Sequence, residues 1–231
     1  MTGTFSNLLS AMATFVIGHF VLASLPVRQA LIARLGETGF RGLFSVFALV
    51  ALTWVSVAYN DAPFVELWAA NAALNTIALV IMPFSCVFAV AGLTTRSVTM
   101  VAGERAMNEP NPTPGIMTVT RHPFLWAVAL WSLTHLAVTG DISSVVLFVG
   151  ISVLTIGGMI HIDHRRAQLA DGAWGPIAMR TSLIPFAAAI TGRTKIDWSG
   201  IGVARLAGGI ALYAVLTGLH EYAFGVTPIP G

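Results

Sequence analysis

The sequence predicts an all-α fold: a polytopic membrane bundle of six transmembrane helices, with the N-terminus and C-terminus outside and long cytoplasmic loops. Three observations predict it. Charge is scarce, with 12 basic and 10 acidic residues among 231, about 10%, against roughly 25% in soluble domains. The apolar residues, 56% of the chain, are grouped into uncharged runs long enough to cross a bilayer, which needs about 20 residues per helix. The basic residues, finally, all fall between alternate pairs of these runs or, for Arg205, at the near end of the last. So few charges cannot cover a water-facing surface, which excludes a soluble enzyme, a disordered chain and a nucleic-acid binder.

The spans follow in order, near residues 4–24, 42–59, 69–93, 123–139, 143–161 and 201–221. The first lies in the uncharged stretch Met1 to Val27, which lacks the basic start and the cleavage site of a signal peptide. The second and third occupy Gly42 to Asn60 and Leu67 to Thr95, and two closely spaced runs, Pro123 to Gly140 and Ile142 to Ile162, supply the fourth and fifth. The sixth carries Arg205 at one end, where a long basic side chain reaches the headgroups. Thr181 to Gly192 is apolar but short and contains Pro185, so it reads as an interfacial or re-entrant segment.

Arg28, Arg34 and Arg41 follow the first span, and Arg96, Arg105 and Arg121 follow the third. Arg165, Arg166, Arg180, Arg193, Lys195 and Arg205 follow the fifth, which accounts for all 12 basic residues. The other side carries Asp61, Glu66, Asp141 and Glu221. The positive-inside rule then places the three basic loops in the cytoplasm. Two of these, Thr94 to Arg121 and Ile162 to Gly200, are of a length that is usually functional or disordered, and Pro110, Pro112 and Pro114 stiffen the first.

The membrane segments hold few acids, so the histidines are the candidate chemistry: His19, His122, His135, His161, His164 and His220. Ionisable groups at membrane depth are costly and tend to be functional. Neutral imidazole ligates metals and haem iron. His19 and His135 are the best embedded, although their depths differ by roughly 13 Å at the helical rise. Pairing His19 with His161 or His122 would match depth better, and single structural hydrogen bonds are the alternative for each histidine. Arg121-His122-Pro123 opens the fourth span, where free backbone N–H groups and a guanidinium suit an anion such as a phosphate, a carboxylate or a haem propionate. An interface anchor is the plainer alternative. His161, Asp163, His164, Arg165 and Arg166 suggest a metal site without a full ligand set, and read rather as a solvated helix end. Gly150, Gly157 and His161 share a helix face, which suits helix packing. Cys86 is the single cysteine, so neither an intrachain disulfide nor a cysteine zinc site is available, and no hydrolase triad, phosphate-cradling glycine loop or HExxH motif is present.

Several motifs along nearly the whole chain resemble the NnrU family of bacterial integral membrane proteins. They are Gly18-His19-Phe20, Ser24-Leu25-Pro26-Val27-Arg28, Leu35-Gly36-Glu37, Phe40-Arg41-Gly42-Leu43-Phe44-Ser45, Ala58-Tyr59 and Ala62-Pro63. Thr120-Arg121-His122-Pro123-Phe124-Leu125-Trp126, Trp131, His135, Gly140-Asp141 and His161-Ile162-Asp163-His164-Arg165-Arg166 continue them. The resemblance implies a multi-pass protein of the bacterial inner (cytoplasmic) membrane, associated with denitrification and nitric oxide or nitrite metabolism. Nitrite or nitric oxide reductase components are its implied partners.

The zeta-carotene isomerases of plants and cyanobacteria are similar and use haem b to isomerise a polyene double bond. By that similarity His19 and His135 are the haem ligands, and a further histidine of those enzymes is replaced by Leu154. Arg121, His122 and His161 would then anchor a propionate or orient a substrate. The expected function is a haem b protein acting as a redox or isomerase-type enzyme or as a reductase accessory. The second half is also similar to the isoprenylcysteine carboxyl methyltransferases, through Gly115, Arg121-His122-Pro123, Asp163, Leu169, Trp174 and Pro185. This gives an S-adenosylmethionine-dependent methyltransferase as one alternative, although Asp163-His164 stands where paired glutamates are usual. A non-enzymatic scaffold or transport protein is the other.

Overall fold

Lipid offers no hydrogen-bond partners, so an apolar run of membrane length folds as a helix that satisfies its own backbone. The computed structural model describes residues 3–69, 71–100, 103–170 and 172–229. Residue 70, inside the expected third span, lies outside them. The main helices are α1 (Phe5–Ala23), α2 (Leu25–Asp61), α3 (Ala72–Thr94), α4 (Pro123–Thr139) and α5 (Ile142–Leu169). Short helices α6 (Trp174–Arg180), α7 (Ala187–Ile190) and α8 (Trp198–Ile201) precede the long α9 (Val203–Phe224). Among the described residues there is no strand, only an isolated bridge between Glu66 and Asp141.

Five helices, α1, α2, α3, α5 and α9, are long and apolar enough to cross a membrane, and α4 is apolar but has only 17 residues. Between 6% and 28% of the most apolar window of each long helix is buried within the chain. Leu49, Val50, Phe84, Ile160 and Val203 are among the large apolar side chains left outside. A helix apolar on nearly every face suits lipid, not water. The protein is an all-helical membrane protein whose solvent is the bilayer.

The chain forms two compact units. The first combines α1 and α2 with His135–Leu154, and the second combines Asn71–Thr134 with the residues from Thr155 onward. In the first unit Leu8, Ala11, Met12 and Phe15 form one stripe of α1 at helical spacing. They pack with Ala51, Val55 and Ala58 of α2 and with Val146, Leu147, Ile151 and Leu154 of α5. Thr4 caps α1 by accepting from Asn7 N at 3.1 Å. Asp141 caps α5 through Ser144 N at 3.0 Å.

The segment before the second span departs from expectation. Residues 25–41 are helical, forming the first part of α2, where the sequence suggests a loop. Pro26 sits in the first turn, a favoured proline position, and the arginines of this stretch, read as the end of an apolar run, hid its helix. The helix is broken at Gly36 (φ 70°, ψ 169°), a backbone region essentially reserved for glycine.

In the second unit α3 packs on α9, and Tyr213 donates to the Leu79 carbonyl at 3.2 Å. Ser85 of α3 donates to the Ala127 carbonyl of α4 at 2.7 Å. Arg205 donates to Thr94 Oγ1 at 2.9 Å and to the Thr94 carbonyl at 3.2 Å, joining the two helix ends. Asp197 accepts from Gly115 N at 2.9 Å and Gly200 N at 2.8 Å, and these donors hold its carboxyl below the ordinary range. The 181–192 segment is no span. Its first residues run beside the approach to α4, where Ser182 and Leu183 carbonyls accept from Arg121 N at 3.0 Å, Thr120 Oγ1 at 2.9 Å and Trp126 Nε1 at 2.7 Å. α5 also continues two turns past the expected end at 161.

A Cβ at Gly36 would meet nothing within 4 Å. Gly36→Ala therefore tests backbone strain alone. We expect a loss of about 1–3 kcal/mol, read as a lowered Tm in detergent. Gly36→Asn should fare no better, because its ψ is far from the left-handed helical region that asparagine tolerates.

Candidate functional site

Candidate chemistry lies in each of the two units. In the second unit the residues before α4 meet the C-terminal extension of α5. Arg121 donates from Nε to Asp163 Oδ2 at 2.7 Å, and its Nη2 lies 2.6 Å from the same oxygen. His122 Nε2 lies 2.7 Å from Asp163 Oδ1. A carboxylate only accepts, so His122 Nε2 carries the hydrogen. His122 Nδ1 is then a bare acceptor; it is buried and has no partner among the described residues. Burial is the main cause that holds the His122 imidazole below its ordinary pKa, against the pull of Asp163. The guanidinium of Arg121 also lies 5.9 Å from the Trp174 ring centroid. Thr99 Oγ1 donates to the Arg121 carbonyl at 2.6 Å, and the buried Arg166 donates to the Met100 carbonyl at 3.4 Å.

The expectation of a free anion site at Arg121-His122 and of a solvated end at 161–166 is thereby altered. The acid that answers Arg121 and His122 is Asp163 of the same chain. Sequence reasoning singled out each residue but did not pair them, because 41 positions separate His122 from Asp163. The signal was present, since Asp163 is an acid set among histidines and arginines at a helix end.

In the first unit His19 stands on α1. Its Nδ1 lies 2.6 Å from the Phe15 carbonyl, which can only accept, so Nδ1 carries the hydrogen and Nε2 is left with its lone pair. Three rings meet the imidazole edge-on: Phe15 at 4.5 Å, Phe44 at 5.2 Å and Phe47 at 5.6 Å between centroids. Gly18 makes room for Phe47, whose ring would collide with any Cβ there. A fixed tautomer with a bare Nε2 and an apolar surround is what an axial haem ligand requires, so the residues around His19 fit the group. His135 of α4 belongs to the same unit, half-buried, with its ring 5.4 Å from that of Phe148.

His161 is half-buried on α5 in the second unit. His164 Nε2 lies 2.9 Å from Gln168 Nε2 at the surface, and His220 Nδ1 donates to the Val226 carbonyl at 2.9 Å. The structure thus brings Arg121 and His122 together on Asp163, and it places His19 and His135 in the other unit. Among the described residues no group of three or more His, Cys, Asp or Glu side chains is arranged to hold a metal ion.

Fold and polar clusters define a membrane-embedded helical protein with histidines held in fixed tautomers. The model of the family described as "NnrU protein" matches residues 7–228, and the chain belongs to that family. It is 35% identical over 82 residues to "15-cis-zeta-carotene isomerase, chloroplastic" of Zea mays, a stretch covering 36% of this chain and 22% of the relative. The protein of the same description from Arabidopsis thaliana is 34% identical over 79 residues, 34% of this chain and 22% of the relative. The chain thus matches about a fifth of the length of these curated relatives. No solved structure matches significantly.

Removing one member of a buried ion pair leaves the other uncompensated. Asp163→Asn should lower stability by about 3 kcal/mol, measured by thermal unfolding in detergent. Adding Arg121→Leu to Asp163→Asn should cost little more or recover part of the loss. An Asp163→Asn protein as stable as the wild type would show that the cluster holds nothing together.

Proposed function

We propose that this protein binds haem b through His19 and His135 and acts in the membrane as an isomerase-type or redox enzyme on an apolar, conjugated substrate. The observation that carries this reading is His19: its Nδ1–H is fixed on the Phe15 carbonyl at 2.6 Å, leaving Nε2 bare among phenylalanine rings. Its support comes from the family and from the similarity to zeta-carotene isomerases. Haem iron, when bound, would supply a redox-active centre next to a polyene. The chain's own contribution is to hold the ligand nitrogen, to surround it with apolar side chains and to leave the substrate in contact with lipid.

The reading includes six spans. α4, with 17 residues, measures about 25 Å at the helical rise, a little under the hydrocarbon thickness, which a bilayer accommodates by local thinning. In this reading both termini lie outside, because the basic residues fall on one side, and the bacterial inner membrane follows from the family context. Arg121 and His122 already engage Asp163, which favours a role in positioning the start of α4 over direct contact with a ligand. His161 remains a candidate to orient substrate within the second unit. Association with denitrification, and with nitrite or nitric oxide reductase components, follows from the family context alone.

The test is an absorption spectrum of the purified protein after haem supplementation. A Soret band is expected in the wild type. It should be lost or strongly shifted in His19→Ala and in His135→Ala. No band in the wild type, or one untouched by both substitutions, would overturn the reading.

A further inference from the structure

A further polar cluster lies at the break in α2, on residues that the family motifs include without a role. In a straight helix residues nine apart are separated by about 13 Å along the axis. The break at Gly36 brings Arg28 back onto Glu37 instead, with Nη2 2.7 Å from Oε1. Arg41 reaches the same Glu37 oxygen from the following turn at 3.2 Å. Two guanidiniums therefore converge on one carboxylate oxygen. The Arg28 side chain is only 15% exposed. Its guanidinium lies 5.3 Å from the Phe40 ring centroid.

This cluster is continuous with His19. Phe40 stands 6.1 Å from Phe44, and Phe44 stands 5.2 Å from the His19 imidazole. A row of side chains in a single unit thus runs from the His19 imidazole through Phe44 and Phe40 to the Arg28 guanidinium. A guanidinium carries five N–H donors in a planar fork, and Glu37 takes up one donor of Arg28. The remaining donors suit a carboxylate, which pairs with arginine through charge-assisted hydrogen bonds. Sharing Glu37 with Arg41 leaves its charge divided between the two cations.

We propose that Arg28, seconded by Arg41, binds the carboxylate groups of the planar ligand that His19 ligates. This rests on the assignment of His19 as a haem ligand. It moves the propionate contact from Arg121 and His122, which are occupied by Asp163, to residues of the His19 unit. Glu37 is the competitor: it orients both guanidiniums and limits how strongly they draw a second carboxylate.

The experiment titrates the full-length protein in detergent with protohaem IX and with its dimethyl ester, following the Soret band. Both carry the same iron and the same apolar ring, but only the first carries carboxylates. The wild type should bind the diacid about tenfold more tightly than the diester, the gain of one charge-assisted contact. Arg28→Gln should reduce that preference to about twofold or less, with the Soret maximum unchanged. Arg28→Lys, which keeps the charge, should retain part of it, and Glu37→Gln should widen it. If Arg28→Gln and Glu37→Gln both keep the wild-type preference while His19→Ala abolishes the band, this inference fails and the haem reading stands. If the wild type gives no band with either compound, both fail.

Discussion

A bilayer supplies no partner for a backbone N–H, a carbonyl or a charge, and each feature of this chain answers that condition. The backbone answers by coiling, because only a helix satisfies a single spanning segment from within. The side chains answer by turning apolar surface outward, so that little of each long helix is buried in the protein itself. Polar groups that remain are gathered into a few clusters. Each of the two main ones is built on a single carboxylate: Glu37 between Arg28 and Arg41, and Asp163 between Arg121 and His122.

The two carboxylates do different work. Asp163 closes its cluster, because both of its oxygens are taken and both partners are largely buried. Such a pair adds little net stability but fixes geometry, since losing either partner leaves a charge without compensation. It ties the start of α4 to the far end of α5 and selects the tautomer of His122. Glu37 leaves its cluster open. One of its oxygens serves two guanidiniums, and the break at Gly36 sets them beside an aromatic stack that leads to His19. A closed cluster serves the fold, and an open one can receive a ligand.

Five of the six expected spans, those matching α1, α2, α3, α5 and α9, were legible in the sequence because hydrocarbon thickness sets their length and excludes charge from their middle. Their ends were less so, for the same reason. Reading charge as the end of a helix stopped the second span at 42 and the fifth at 161, whereas α2 starts at Leu25 and α5 runs to Leu169. Arginines at the interface continue a helix as readily as they end it, because their long stems stay in the apolar layer while the heads pair or reach water. Of the sites, His19 could be found from its place in an uncharged run. Its tautomer could not, since that depends on the Phe15 carbonyl one turn earlier. The pairing of His122 with Asp163 depends on tertiary contact across 41 residues, which no local pattern records. Glu37 and Arg41 stand four apart on a helix, a spacing that marks an ion pair, but Arg28 joins them only through the break at Gly36.

The central claim is that His19 offers a bare Nε2 to haem iron, with His135 as the second ligand. Electron paramagnetic resonance of the ferric, haem-loaded wild-type protein tests it most directly, because the spin state reports the axial ligands. The account predicts the low-spin rhombic signal of iron held by two imidazoles. A high-spin axial signal, or no protein-bound iron signal after haem loading, would contradict it.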